Sequence, residues 1–390
     1  MTAPTLVPVP VNTPGILQFS HEGDLIWIGL QLAGLAVALA FLFTGFGARL
    51  RTALDRLTGG RRWLVLTLFA WTYMAAATLA LLPLRYENEV GHWAQWGFPS
   101  PGLGPWLAAQ AVTLAALMIA AALFLWIPFA LIARSPRLWW LWLTAIAAPA
   151  FAVALVVGQL VIGPMTTRYE PLADPVLKAQ IQAMADRCGA GTLPLFIGGN
   201  DLTVVGIGPF SRILVSRDAL TTQTHAQLMT SMAHELKHYR MGDNWLAMAV
   251  VTGLILAGAV LVQVLGRAAI RLWGTRFGFA SLSDPAALPL MAFILMLSWA
   301  AIGLPVFNAV QRHVELEADR FALEVTHDNR ALGEWQAAMA KRPWAMNVYD
   351  PFFELIFANH PSQADRVRLA NDYRPWEHGR PGVYDRICKR

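Results

Sequence analysis

Uncharged apolar stretches recur along this chain, each long enough to cross a bilayer. Leu25–Gly47, Trp63–Leu84, Trp106–Ile132 and Leu138–Gly163 come first. Asn244–Gly266 and Pro285–Gln311 follow after a polar interval. About 20 apolar residues span the hydrocarbon core as a helix, so the pattern predicts six transmembrane helices. Any one of them, read alone, also fits a buried core helix. Six together do not, because no polar segment here is large enough to bury them all.

The polar intervals complete the organisation. Residues 1–24 read as an extramembrane tail, 25–164 as spans one to four, and 244–311 as spans five and six. The intervals 165–243 and 312–390 read as two parts of one polar domain. Within the first, Pro175–Cys188 is an amphipathic pattern ending at Gly189. Leu193–Ile197 and Ile213–Ser216 read as short strands joined by a Gly-rich loop. Thr222–Tyr239 reads as a further helix. The fold class is therefore an α-helical polytopic membrane protein with a mostly α extramembrane domain and a small β element.

Composition sharpens this. Of 390 residues, 56% are hydrophobic and only 14% charged, against about 25% charged in soluble domains. The net charge of +5 is scattered over loops rather than gathered into a patch, which points to membrane topology and away from nucleic acid. Arg49, Arg51, Arg56, Arg61, Arg62, Arg134, Arg137, Arg267, Arg271 and Arg276 lie in three short loops on one side, at 48–62, 133–137 and 267–284. The opposite side offers Arg85 alone, in the 85–105 loop. This bias places the three loops in the cytoplasm of a bacterial inner membrane and turns the tail and both polar segments outward. The only cysteines, Cys188 and Cys388, are too few for a disulfide framework. One disulfide or two free thiols both fit.

The chemistry sits in His234-Glu235-Leu236-Lys237-His238. Helix positions i and i+4 share one face, so His234 and His238 can hold one metal ion between them. Zinc takes neutral imidazole and leaves a position for water in catalytic sites. Glu235 is placed to take that water's proton. Two surface histidines on a helix would be the plain alternative. His238 is six residues before the fifth span, which puts the metal roughly 10 Å from the bilayer edge if the helix runs straight.

The fifth and sixth spans form a hairpin that returns the chain to the same side. There it meets Glu315-Leu316-Glu317-Ala318-Asp319. Glu315 is the expected third ligand of a two-His, one-Glu site. Asp319, one turn on, would accept from a ligand imidazole and fix its tautomer. Glu317 lies about 200° round the helix and should point away. Taken alone, the run would be a solvated helix face. His360, before Pro361, and Arg366 form a cation-bearing pair suited to stabilising an oxyanion, although a His before Pro is usually a loop residue.

These motifs resemble the integral-membrane CAAX prenyl endopeptidases, zinc metalloproteases of eukaryotes and bacteria. The resemblance rests on His234–His238, on Glu315-x-x-Ala318-Asp319, on His360-Pro361 with Arg366, and on Tyr169–Asp174 running through to Asp186. Leu82-Pro83-Leu84-Arg85-Tyr86 is a weaker echo of a loop after a span. The resemblance implies a ring of helices enclosing a chamber, capped by the zinc domain, with Glu315 as third ligand. It makes His360 and Arg366 substrate-positioning or oxyanion residues. It also implies an edge strand holding substrate near Thr203, Val204 and Val205, with Thr where the family often has Asn. Lys237 stands where Gly is common. Six spans appear where eukaryotic members have seven.

The reading is a membrane-embedded endopeptidase with one zinc per chain, acting on membrane-associated or exported peptides. The lipid bilayer and a peptide substrate are its partners. Processing of prenylated CAAX peptides is the alternative substrate class, and a zinc-binding, non-proteolytic membrane scaffold is the alternative outside enzymes. A transporter is disfavoured because the spans hold few ionisable groups. The family places its site on the cytosolic face, against the arginine distribution.

Overall fold

A computed structural model describes residues 6–158, 169–199 and 202–388. The chain divides into two compact units: residues 1–17, 148–251 and 304–390 form one, residues 18–147 and 252–303 the other.

The second unit is built from apolar helices. Six helical runs among the described residues are long and apolar enough to cross a membrane: Pro14–Phe43, Arg62–Gln95, Leu103–Arg134, Trp139–Val157, Asp243–Phe277 and Pro285–Thr326. Their polarity is that of lipid-facing helices. The most apolar window of Leu103–Arg134 is only 11% buried, with Val112, Leu117, Ile119 and Leu123 exposed. A helix of a soluble protein would bury such a face. Inside the unit, Phe41, Phe69, Tyr73, Phe129, Val262, Phe277 and Leu290 pack into one apolar core.

Several boundaries differ from the sequence expectation. The first helix begins at Pro14, eleven residues before the first long apolar stretch, so only part of residues 1–24 is a tail. Proline at the start of a helix costs no backbone donor. The helix Arg62–Tyr86 runs straight through Pro83 and on through a π-helical turn, Glu87–Gly91, into His92–Gln95. The expected post-span loop at Leu82–Tyr86 is therefore helical, as is the first half of the 85–105 loop. Arg267, Arg271 and Arg276 ride on a continuation of the fifth span to Phe277 rather than in a loop. The fourth span is seen as Trp139–Val157, and residues 159–163 of its expected length lie outside the described residues.

The other unit carries a four-stranded sheet: β1 (Glu170–Pro171), β2 (Leu195–Ile197), β3 (Thr203–Val205) and β4 (Arg212–Val215). Their order is β1-β2-β4-β3. β2 and β4 are parallel; β3 runs antiparallel to β4 with Val204 opposite Ile213. The loop expected between two strands therefore contains a third, which is an edge strand. Pro175–Arg187 is a helix capped by Asp174, whose side chain accepts from the Val176 and Leu177 N–H groups. It ends before Gly189, whose φ of 63° suits glycine.

The core of this unit joins Leu172, Ile181, Met184 and Ile213 to Met232, Leu236 and Phe321. Cys188 and Cys388, 200 residues apart, are joined by a disulfide beside it. Residues before the first helix are pinned here as well. Asn371 exchanges two hydrogen bonds with the Val7 backbone, at 3.0 and 2.9 Å, and Asn12 Oδ1 accepts from the N–H groups of Asn347 and Val348.

Candidate active site

The helix His225–Met241 starts at a capping box, in which Thr224 and Gln227 bond each other's backbone N–H. Arg217–Thr222 is a separate short helix before it. The helix stops at Gly242, with φ 66°, so the chain turns before the fifth span and a straight-line distance to the bilayer does not apply. Met232, Ala233 and Leu236 bury one face against Phe321 and Ala322 of the helix Leu304–Thr326. Small residues at 233 and 322 let the two backbones approach. This packing carries His234 and His238 up to Glu315.

Three ligand-type atoms converge. His234 Nε2 and His238 Nε2 are 3.1 Å apart. Glu315 Oε2 is 3.2 Å from the first, and Oε1 is 3.5 Å from the second. A tetrahedral metal with bonds of ~2.0–2.1 Å keeps its donor atoms roughly 3.3–3.4 Å apart. The triangle has the size of one face of such a site, so the residues fit a small divalent cation. Among the described residues this is the one His/Cys/Asp/Glu group close enough for that.

Each imidazole is oriented by a carboxylate on its far nitrogen. His234 Nδ1 is 3.0 Å from Asp319 Oδ1, and His238 Nδ1 is 2.7 Å from Asp243 Oδ2. With Nδ1–H donating to a carboxylate, Nε2 is left as the free lone pair facing the centre. Asp243 went unread in the sequence. Its signal was an acid immediately after the glycine that ends the helix, five residues past His238. Asp243 Oδ2 also accepts from Lys237 Nζ at 2.8 Å, and that ammonium donates to the Val314 carbonyl as well. The residue standing where the family often has glycine thus ties the two metal-bearing helices together.

Arg366 is placed differently from an oxyanion group. It is buried, and its Nε and one terminal nitrogen donate to the two Asp319 oxygens at 2.6 and 2.7 Å. Its guanidinium lies 5.6 Å from the centroid of the Trp335 ring. His360 faces the centre: its Nε2 is 3.4 Å from Glu315 Oε2, and its side chain is half exposed. Glu317 points away, accepting from Tyr384 Oη at 2.8 Å.

Glu235 is buried beside the edge strand, where the nearby Val204 backbone N–H favours its charged carboxylate. The register explains why that group is available. Ile213 spends its own N–H on Pro194 O, so Val204, opposite it, turns its N–H and carbonyl away from β4. Asn244 holds the same edge, with Nδ2 donating to Gly206 O at 2.6 Å and leaning on Val204 O at 3.4 Å. The sequence showed Asn244 only as the first residue of a span.

Electrostatics match an acidic pocket built for a cation. Burial pulls the His234 pKa down, but Asp319 and Glu315 outweigh it and hold the imidazole up at about 10. Burial raises the Glu235 carboxyl; His238 and His234 offset part of that, and Glu315 adds to it. Burial lowers His360, against a smaller push upward from Glu315. Burial works against the Arg366 charge, and Asp319 more than restores it.

A model of Peptidase family M48 matches residues 171–374, which include every residue of this centre. The chain belongs to peptidase family M48. Over 321 residues it is 25% identical to the uncharacterized metalloprotease YhfN of Bacillus subtilis, covering 77% of this chain and 72% of that one. It is 22% identical over 323 residues to CAAX prenyl protease 1 of Saccharomyces cerevisiae, covering 76% and 70%. Its fold is similar to the crystal structure of S. mikatae Ste24p, with a TM-score of 0.71 at 18% identity over 95% of this chain and 93% of the other. This M48 member is thus an integral membrane metalloprotease with a Ste24p-like fold.

Proposed function

We propose that this M48 peptidase is a zinc endopeptidase that cleaves membrane-associated or exported peptides on the outer face of the inner membrane. The convergence of His234, His238 and Glu315 on one point carries the reading. Two imidazoles and a carboxylate at tetrahedral spacing favour zinc over the oxygen-seeking Mg²⁺ or Ca²⁺. Zinc held there supplies a Lewis acid that acidifies a water and polarises the scissile carbonyl.

The chain's own residues do the rest. Glu235 takes the proton of the attacking water and passes it to the leaving amine. Burial raises its pKa and suits it to both halves of that task. His360 stabilises the oxyanion from the exposed side of Glu315. Arg366 acts through Asp319, locking the His234 ring, and is a positioning residue rather than a partner of the substrate. The outer edge of Thr203, Val204 and Val205 guides the peptide, with Asn244 holding the end of that edge at Gly206.

Two independent observations support the outward orientation. One is the concentration of arginine in the three short segments 48–62, 133–137 and 267–284. The other is the Cys188–Cys388 disulfide, a bond rarely kept in a reducing cytosol. An outward site would seldom meet a prenylated protein, which favours exported peptides over CAAX substrates.

Metal analysis of the purified protein tests the zinc assignment. We expect about one zinc per chain, removed by chelator with loss of peptidase activity and regained with zinc. Full zinc occupancy in a His234→Ala, His238→Ala double variant would sink the assignment. A metal-loaded protein inert towards unfolded and membrane-inserted peptides alike would favour a scaffold.

A further inference from the structure

The arginine-rich end of the membrane-spanning unit carries two neighbouring cavities of opposite electrostatic character. One, about 400 Å³, is lined by Arg51 and Arg62 together with Asp55 and Asp284. Its cations are answered: Arg51 pairs with Asp284 at 3.4 Å, and Arg62 donates to the Ser283 carbonyl at 3.0 Å. The other, about 580 Å³, is lined by Arg267 and Arg271 and by no acidic residue. Among the described residues neither arginine has an ion pair, and both are exposed. They lie one helical turn apart, so their guanidinium groups reach the same space.

The rest of the lining is mostly apolar. Ile132, Val264, Ile270 and Leu282 supply apolar wall beside the charges, together with Ser281. Gln263, also on the wall, is saturated: its carbonyl accepts from Trp139 Nε1 at 2.6 Å and its amide donates to Pro136 O at 2.9 Å. That pairing fixes the wall and leaves the arginines as the groups without partners. Trp140 and Trp273 lie at the same end, where tryptophan marks the level of lipid headgroups.

We propose that this cavity is a binding site for one anionic phospholipid. Its phosphate is held by Arg267 and Arg271 in charge-assisted, forked hydrogen bonds, and its glycerol and upper acyl chains lie on the apolar wall. Charge complementarity argues for that occupant. Two unpaired cations beside an acid-free, half-apolar cavity at the end of a span match a headgroup joined to a hydrocarbon tail better than a free anion, which has no use for the apolar wall. The topology rule alone explains positive charge at this end, but not a cavity that excludes acids while its neighbour contains two.

The test uses the full-length protein in nanodiscs of phosphatidylcholine doped with phosphatidylglycerol, read by native mass spectrometry for retained lipid. We expect phosphatidylglycerol to be retained at least fivefold over phosphatidylcholine. The Arg267→Gln, Arg271→Gln variant should fall to the phosphatidylcholine level. An Arg56→Gln, Arg61→Gln variant, with the same change in net charge, should retain wild-type selectivity. Peptidase activity in neutral detergent should be unchanged in both, so the result is separate from the catalytic proposal. Equal loss in the two variants would show diffuse attraction and overturn the site. So would absence of selectivity in the wild type, or millimolar inorganic phosphate displacing the lipid.

Discussion

At the scale of single residues, the centre separates groups that react from groups that hold. Glu235→Gln matches the carboxylate in shape but cannot take a proton. Zinc content and folding should be retained, and turnover should fall ~100- to 10,000-fold, the usual worth of a general base. Near-wild-type turnover in single-cycle assays would remove Glu235 from the mechanism. His360 and Arg366 should part company. His360→Ala should keep zinc and lose turnover, by about 100- to 1,000-fold if it serves as an oxyanion donor. Arg366→Ala instead leaves the Asp319 carboxylate buried without its cation. It should destabilise the domain by about 3–5 kcal/mol and weaken zinc binding. Thermal unfolding with metal titration distinguishes the two. A stable, zinc-replete Arg366→Ala variant with defective turnover would reverse the assignment.

At the scale of elements, two helix ends matter most. Gly242 closes the metal-bearing helix in the left-handed region, φ 66°, and delivers Asp243 to His238. An alanine there would meet Trp245 Cδ1 at 3.3 Å and costs roughly 1–2 kcal/mol for the backbone alone. We expect Gly242→Ala to lower both the melting temperature and zinc affinity, whereas Gly253→Ala, with nothing near its Cβ, should lower neither. The segment before the first helix is the other case. Asn371 and Asn12 bind it to the C-terminal part of the protease unit. Asn371→Ala should expose residues 6–13 to proteolysis, measured as faster cleavage near Val7 with the rest of the chain intact.

At the scale of the whole molecule, orientation is the open consequence. With the protease unit outside, a C-terminal alkaline phosphatase fusion should be active and a C-terminal green fluorescent protein fusion dark. Protein trapped with a thiol-blocking reagent should carry no free Cys188 or Cys388. The reverse fusion pattern, with both thiols free, would place the site in the cytosol and return prenylated peptides as leading substrates.

What could be read from the sequence was local. Hydropathy over about 20 residues marks a span whatever surrounds it, because the bilayer, not the rest of the chain, sets that length. The i, i+4 spacing puts His234 and His238 on one face of any helix, and a hairpin of two spans returns Glu315 to their side by topology alone. Contacts that join distant positions without a periodic signature were decided only by the tertiary structure. Asp243 meets His238 because Gly242 turns the chain. Val204 meets Glu235 because the register of β3 on β4 aims its N–H outward. Arg366, which by type alone suited an oxyanion, is committed to Asp319, 47 residues away. Val7 is fixed by Asn371 and Cys188 by Cys388, at separations of 364 and 200 residues. Apart from Asp243, which lies five residues past His238, such partners are chosen by packing after the helices have formed, so no short window along the chain contains them.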